Sequence, residues 1–101
     1  MATFGGYVYI ITNKYNAVLY TGVTSELYNR ICKHKNKEYP TAFSAKYNCD
    51  KLVYYSGFPT INEAIAEEKR IKGCSRNYKI DLIESKNPKW IDLFDNIPDE
   101  A

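Results

Sequence analysis

Cysteine and histidine are scarce in this chain of 101 residues, which has three of the first and one of the second. Cys32, Cys49 and Cys74 are odd in number, widely spaced and in no C-x-x-C pair. That pattern argues against a disulfide framework and against a structural zinc site, and a reducing, cytoplasmic setting is the expectation. Long apolar runs are absent too. Nothing approaches the ~20 residues that span a bilayer, and Met1-Ala2-Thr3-Phe4-Gly5-Gly6 lacks a basic start followed by an apolar segment. A membrane is therefore not an expected partner. Internal repeats, low-complexity segments, helix-turn-helix patterns and zinc fingers are also missing.

What is present is enough apolar material, 45% of the residues, for one compact core in a chain too short for a second. We expect a single domain over residues 1–94 and an acidic tail, 95–101, that frays. Asp95, Asp99 and Glu100 lie in that tail, so a formal net charge of +2 becomes +5 over residues 1–94. Mild basicity of this kind suits a polyanionic partner, and it equally suits an ordinary solvated surface.

Residues 7–12 alternate aromatic and aliphatic side chains, residues 18–23 repeat that character, and Asn13-Lys14-Tyr15-Asn16 between them are turn formers. The spacing predicts a β-hairpin. With a period of two, Tyr7, Tyr9 and Ile11 share one face of the first strand, and Val18, Tyr20 and Gly22 share one face of the second. Where those faces coincide, Tyr9 and Tyr20 approach each other. Thr24 or Ser25 can cap a helix running to about residue 36. On it, Leu27, Arg30, Ile31 and His34 form one i, i+3, i+4, i+7 stripe, which puts two polar groups on the face that meets the sheet. Residues 35–50, with Pro40, keep no period and read as a polar loop.

Residues 52–56 suit a third strand, closed by Gly57-Phe58-Pro59. Thr60-Ile61-Asn62-Glu63 matches a capping box at a helix start. The stripe that follows is Ile61, Ala64, Ile65, Glu68 and Ile71, with Glu68 near its centre and Glu67 well off it. Gly73 ends this helix, and Ser75 caps another with Ile80 and Ile83 on one side. Asn87-Pro88 reads as a cap and first residue of a further short helical turn carrying Trp90, Leu93 and Phe94. The fold class expected is α+β, a small three-stranded antiparallel sheet flanked by helices in the order β-β-α-β-α-α.

An unpaired buried carboxylate costs several kcal/mol or is driven to take up a proton. Glu68, at the core-facing centre of its helix, therefore needs a cation, a hydrogen-bonding partner or a metal. Arg30 and His34 are candidate cations. The spacing alone fits a structural ion pair between two helices as well as a functional site.

Tyr7-Val8-Tyr9, ten intervening residues, Tyr20-Thr21-Gly22, Arg30 and His34 on the next helix, and Glu68 on a later one resemble the signature of the GIY-YIG nucleases. The resemblance covers roughly residues 5–94. Residues 20–34 and 64–90, including Ile71-Lys72-Gly73 and Glu84-Ser85-Lys86-Asn87-Pro88, are similar to the small single-domain bacterial members, akin to the nuclease domain of the excision-repair endonuclease. Tyr7 and Val8 replace the Gly and Ile of the first motif, and Thr21 replaces an Ile or Val of the second. Neither change touches the tyrosine hydroxyls. Val23 stands where some relatives carry a lysine.

The resemblance implies a metal-dependent endonuclease hydrolysing DNA phosphodiester bonds, on branched, damaged or single-stranded DNA of the kind met in DNA repair, with RNA as the alternative substrate. It implies Tyr9, Tyr20, Arg30, His34 and Glu68 as catalytic residues. Glu68 would bind one Mg²⁺ or Mn²⁺, whose preference for hard oxygen ligands suits a carboxylate. Arg30 would hold the phosphate with its planar fork of donors, and His34 would orient the phosphate or assist proton transfer. Either Tyr9 or Tyr20 would deprotonate the attacking water, a phenolate being favoured by a nearby metal and arginine. Ten tyrosines mean that most serve packing. Gly22 would let the backbone approach the phosphate or the facing helix closely. Lys33, Lys35, Lys72 and Arg76 are candidate contacts to the DNA backbone, along with Lys37, Lys46, Lys69 and Lys79. Asn87 is either a helix cap or a late hydrogen bond near the metal. The alternative readings are a catalytically weak nucleic-acid-binding module with the same fold and a protein-interaction domain using a tyrosine-rich face.

Overall fold

The computed structural model describes residues 4–36 and 46–98. Residues 37–45 of the expected loop, with Lys37 and Pro40, and residues 99–101 of the acidic tail lie outside the described residues. The element order is β1 (Gly6–Thr12), β2 (Leu19–Thr24), α1 (Leu27–Lys35), β3 (Lys51–Phe58), α2 (Ile61–Lys72), α3 (Arg76–Lys86) and a 3₁₀ turn (Phe94–Asn96). The strands form one antiparallel sheet in the order β2-β1-β3, so the α+β architecture expected from the pattern is the one observed.

Strand β1 is central, and all seven of its residues are buried. Tyr7, Tyr9 and Ile11 face one layer, where they cluster with Leu27 and Ile31 of α1 and with Leu52 and Cys49. Val8 faces Ala64 and Ile71 of α2, and Ile10 packs with Ile83 of α3. The sheet thus carries α1 on one face and α2 with α3 on the other, which explains why residues 7–11 of β1 are apolar on both faces. A bulge in the β1–β3 pairing, where Ile10 opposes Tyr54 and Ile11 opposes Leu52, sends Val53 and Tyr54 together into the Ile10 cluster.

The hairpin forms as its turn residues predict. Asn13 Oδ1 accepts the amides of Ala17 at 2.8 Å and Val18 at 3.3 Å, and Asn16 takes the left-handed backbone that asparagine tolerates, φ 57°. Thr60 Oγ1 accepts from the Glu63 amide at 3.2 Å and Ser75 from the Tyr78 amide at 3.1 Å, so both of those caps are real. The cap expected for α1 is not. Its N-cap position is Glu26, without a side-chain cap bond, because the Thr24 hydroxyl accepts the Glu26 amide at 3.0 Å and so closes a tight turn ahead of the helix.

The helical turn expected after Asn87-Pro88 does not form either. Asn87 is the C-terminal cap residue of α3 and is buried. Its side-chain amide donates to Val53 O at 3.1 Å and Ile91 O at 2.8 Å, and Oδ1 accepts from Ile91 N at 3.1 Å. The cost of leaving such a group unpaired in the interior makes this clamp between α3, β3 and the following segment a better use of the residue than a new helix start. Beyond it, Leu93 N donates to Leu52 O at 2.7 Å, Phe94 stacks on Tyr28 of α1 with ring centroids 5.1 Å apart, and Ile97 packs against the Tyr9 cluster. None of the helices among the described residues is long and apolar enough to cross a membrane, and all three cysteines are free thiols.

Candidate active site

The pairing register decides which hairpin side chains meet. Tyr9 lies opposite Gly22, and Ile11 opposite Tyr20, and cross-strand partners project from the same face. Tyr9 and Tyr20 therefore both point toward α1, as their period-two placement predicts. The Tyr9 phenol is fully buried, with Oη 2.9 Å from Nε2 of His34. Gly22 makes this possible: a Cβ there would fall 2.4 Å from both Cζ and Oη of Tyr9. The glycine thus makes room for the Tyr9 phenol.

His34 is the hub. The ring of half-buried Tyr20 meets it edge-on, centroids 5.7 Å apart, and the Tyr9 ring lies at the same distance on another side. Burial first, and then the guanidinium of Arg30 one turn earlier on α1, push the His34 pKa down to about 4. At neutral pH the imidazole is uncharged and has both a lone pair and an N–H to offer.

Glu68 belongs to α2, on the opposite face of the sheet, yet it joins the same cluster around the edge of β2. Its side chain is only 12% exposed and pairs with the ammonium of Lys72, one turn further along, at 2.7 Å. The Lys72 Nζ in turn stands 5.9 Å from the centroid of the Tyr20 ring. A continuous chain of contacts therefore runs from Tyr9 through His34, Tyr20 and Lys72 to Glu68, with Arg30 beside His34. Arg30 and His34 of α1 were the cations expected for Glu68; the ion pair found is instead with Lys72 on its own helix, and His34 is uncharged at neutral pH. The i, i+4 partner Lys72 was legible from spacing alone.

Residues 5–81 match the family model described as the GIY-YIG catalytic domain. The chain belongs to the GIY-YIG family. Among its relatives, a UPF0213 protein of Clostridium perfringens is 41% identical over 87 residues, 82% of this chain and 87% of the relative. A UPF0213 protein of Staphylococcus saprophyticus is 38% identical over 76% of this chain and 92% of its own length. A further UPF0213 protein, from Autographa californica nuclear polyhedrosis virus, is 38% identical over 78% and 76%. No solved structure gives a significant match. GIY-YIG membership implies nuclease chemistry and a nucleic-acid substrate.

Within this GIY-YIG domain the other basic residues singled out from sequence divide by location. Lys72 is in the cluster. Lys35 is tied elsewhere, donating to Asp50 O at 2.7 Å and pairing with Asp92 at 2.6 Å, where it fastens the C-terminal segment. Arg76 donates to Ala17 O at 2.9 Å, bracing the hairpin turn from the start of α3. Lys33 is exposed on α1. Asn87 is spent on its backbone clamp.

Proposed function

We propose that this chain is a divalent-metal-dependent endonuclease that hydrolyses DNA phosphodiester bonds at the Tyr9, Tyr20, Arg30, His34 and Glu68 cluster. The observation that carries the reading is the contact chain itself: residues from β1, β2, α1 and α2, on both faces of the sheet, converge around β2, the strand at the end of the sheet.

The donor set fits a Mg²⁺ or Mn²⁺ ion held largely by water and substrate. Among the described residues no three His, Cys, Asp or Glu side chains are grouped to cage a metal, and one carboxylate completed by waters and phosphate oxygens is a common arrangement for Mg²⁺. Glu68 would hold the ion, which when bound supplies charge stabilisation at the phosphate and at the departing oxygen. Arg30 would grip a non-bridging phosphate oxygen, and neutral His34 would hold Tyr9 in place while presenting an acid–base group to the phosphate. A general base must come within hydrogen-bond reach of the attacking water. Tyr20 is only partly buried, whereas Tyr9 is fully buried and its hydroxyl is bonded to His34, so we assign water deprotonation to Tyr20 and positioning of His34 to Tyr9.

The test is to incubate the protein with labelled single-stranded, duplex, flap and four-way-junction DNA in Mg²⁺, Mn²⁺ or EDTA, with Glu68→Ala and Arg30→Ala alongside. Cleavage that requires metal and is lost in both variants is the expected result. Salt-sensitive binding without cleavage of any substrate would overturn it in favour of a binding module.

A further inference from the structure

Lys72 is poorly explained as an ordinary surface ion pair. Exposed i, i+4 pairs on a helix are worth only a few tenths of a kcal/mol, but the carboxylate that Lys72 meets is 12% exposed, against 51% for Lys72 itself. A shielded Glu68 without a counter-charge would be costly, and the one ion pair it makes among the described residues is with this ammonium, which reaches it from solvent on a flexible stem. The same ammonium lies 5.9 Å from the Tyr20 ring centroid, so a second favourable position is within reach of the stem when the carboxylate is otherwise engaged. Lys69, adjacent to Glu68 on α2, is exposed, and residues one apart do not share a helix face.

We propose that Lys72 is the resident counter-ion of Glu68, occupying the carboxylate when no divalent cation is bound and competing with that cation for it. This rests on the reading of Glu68 as the metal-holding residue. Metal entry would then be an exchange of one cation for another at Glu68, with Lys72 withdrawing toward the Tyr20 ring. The lysine keeps the shielded carboxylate satisfied in the empty protein and weakens metal affinity, which lets the ion arrive with its substrate rather than ahead of it.

The experiment is Mn²⁺ binding to the intact protein without nucleic acid, followed by loss of the free-ion electron paramagnetic resonance signal, in wild type, Lys72→Met, Lys72→Arg, Lys69→Met and Glu68→Gln. A neighbouring unit charge screened by partial exposure changes affinity by roughly three- to tenfold. Lys72→Met should therefore bind Mn²⁺ tighter by about that factor, while Lys72→Arg and Lys69→Met stay near wild type. Thermal melts give a second readout: Lys72→Met should melt below wild type in EDTA and recover more than wild type on addition of Mn²⁺. Unchanged or weaker Mn²⁺ binding in Lys72→Met, with Glu68→Gln still abolishing it, would overturn the exchange alone. Unaltered Mn²⁺ binding in Glu68→Gln would overturn the metal-holding role of Glu68, and the exchange with it.

Discussion

The Tyr9 hydroxyl and His34 Nε2, 25 residues apart in sequence, stand 2.9 Å apart in the interior between β1 and α1. The two form a buried polar pair in a layer that also holds Tyr7, Ile11, Leu27, Ile31, Cys49 and Leu52. Removing one member leaves the other without this partner, and the cost of an unmet buried polar group exceeds the net gain from the bond it loses.

The depressed His34 pKa has a consequence for acid stability. An unfolded histidine takes up its proton near pH 6.5, whereas the folded one does so only near 4. Between those values the unfolded state binds more protons, so stability is fully present above about pH 6.5 and falls as pH drops toward 4, by something on the order of 2–3 kcal/mol. Denaturant titrations at pH 7, 5.5 and 4.5 should show a steeper loss for wild type than for His34→Gln. Parallel losses in the two proteins would count against a buried, neutral His34.

Gly22→Ala tests the packing beneath the site. The added methyl would meet the Tyr9 ring at 2.4 Å, and overpacking of this kind costs about 1–3 kcal/mol. Because Tyr9 and His34 must shift together, we expect a folded protein with a lowered melting temperature and nuclease activity reduced by roughly a hundredfold. A variant with full activity would show that Tyr9 need not occupy its observed position.

The two tyrosines should separate in mutant kinetics. Tyr20→Phe is expected to lower kcat by about 10²–10⁴, the range for loss of a general base. Tyr9→Phe should lose stability by about 1–3 kcal/mol through the lost bond to His34 and should lose less activity than Tyr20→Phe. The reverse order in single-turnover cleavage would exchange the roles of the two tyrosines.

Asn87→Ala removes three hydrogen bonds that join α3, β3 and the segment after Pro88. We expect a stability loss of about 2–4 kcal/mol and, below the new melting temperature, wild-type dependence of cleavage on metal concentration. A shifted metal dependence at full folding would place Asn87 in the metal's surroundings after all.

Much of this architecture is local enough to be written in the chain. Alternation in residues 7–12 and 18–23, the turn-forming Asn13 and Asn16, and the caps Thr60 and Ser75 act within a few residues of themselves, so the hairpin, α2 and α3 form as their spacing predicts. The motif residues were also legible, since a glutamate in an apolar stripe and a histidine in another are anomalies visible without a structure. Where local signals competed, tertiary contacts decided. Thr24 could serve a helix or a preceding turn, and it serves the turn. Asn87 before Pro88 carries the mark of a helix start, but a buried Val53 carbonyl needing a donor claims its side chain. Lys35 and Arg76 look like any other surface cations until the fold brings them to Asp92 and to the hairpin turn. The placement of Glu68 is a tertiary outcome as well. Its helix lies across the sheet from α1, and only the narrowness of that sheet, with β2 as its edge, lets side chains from both layers meet at Tyr20.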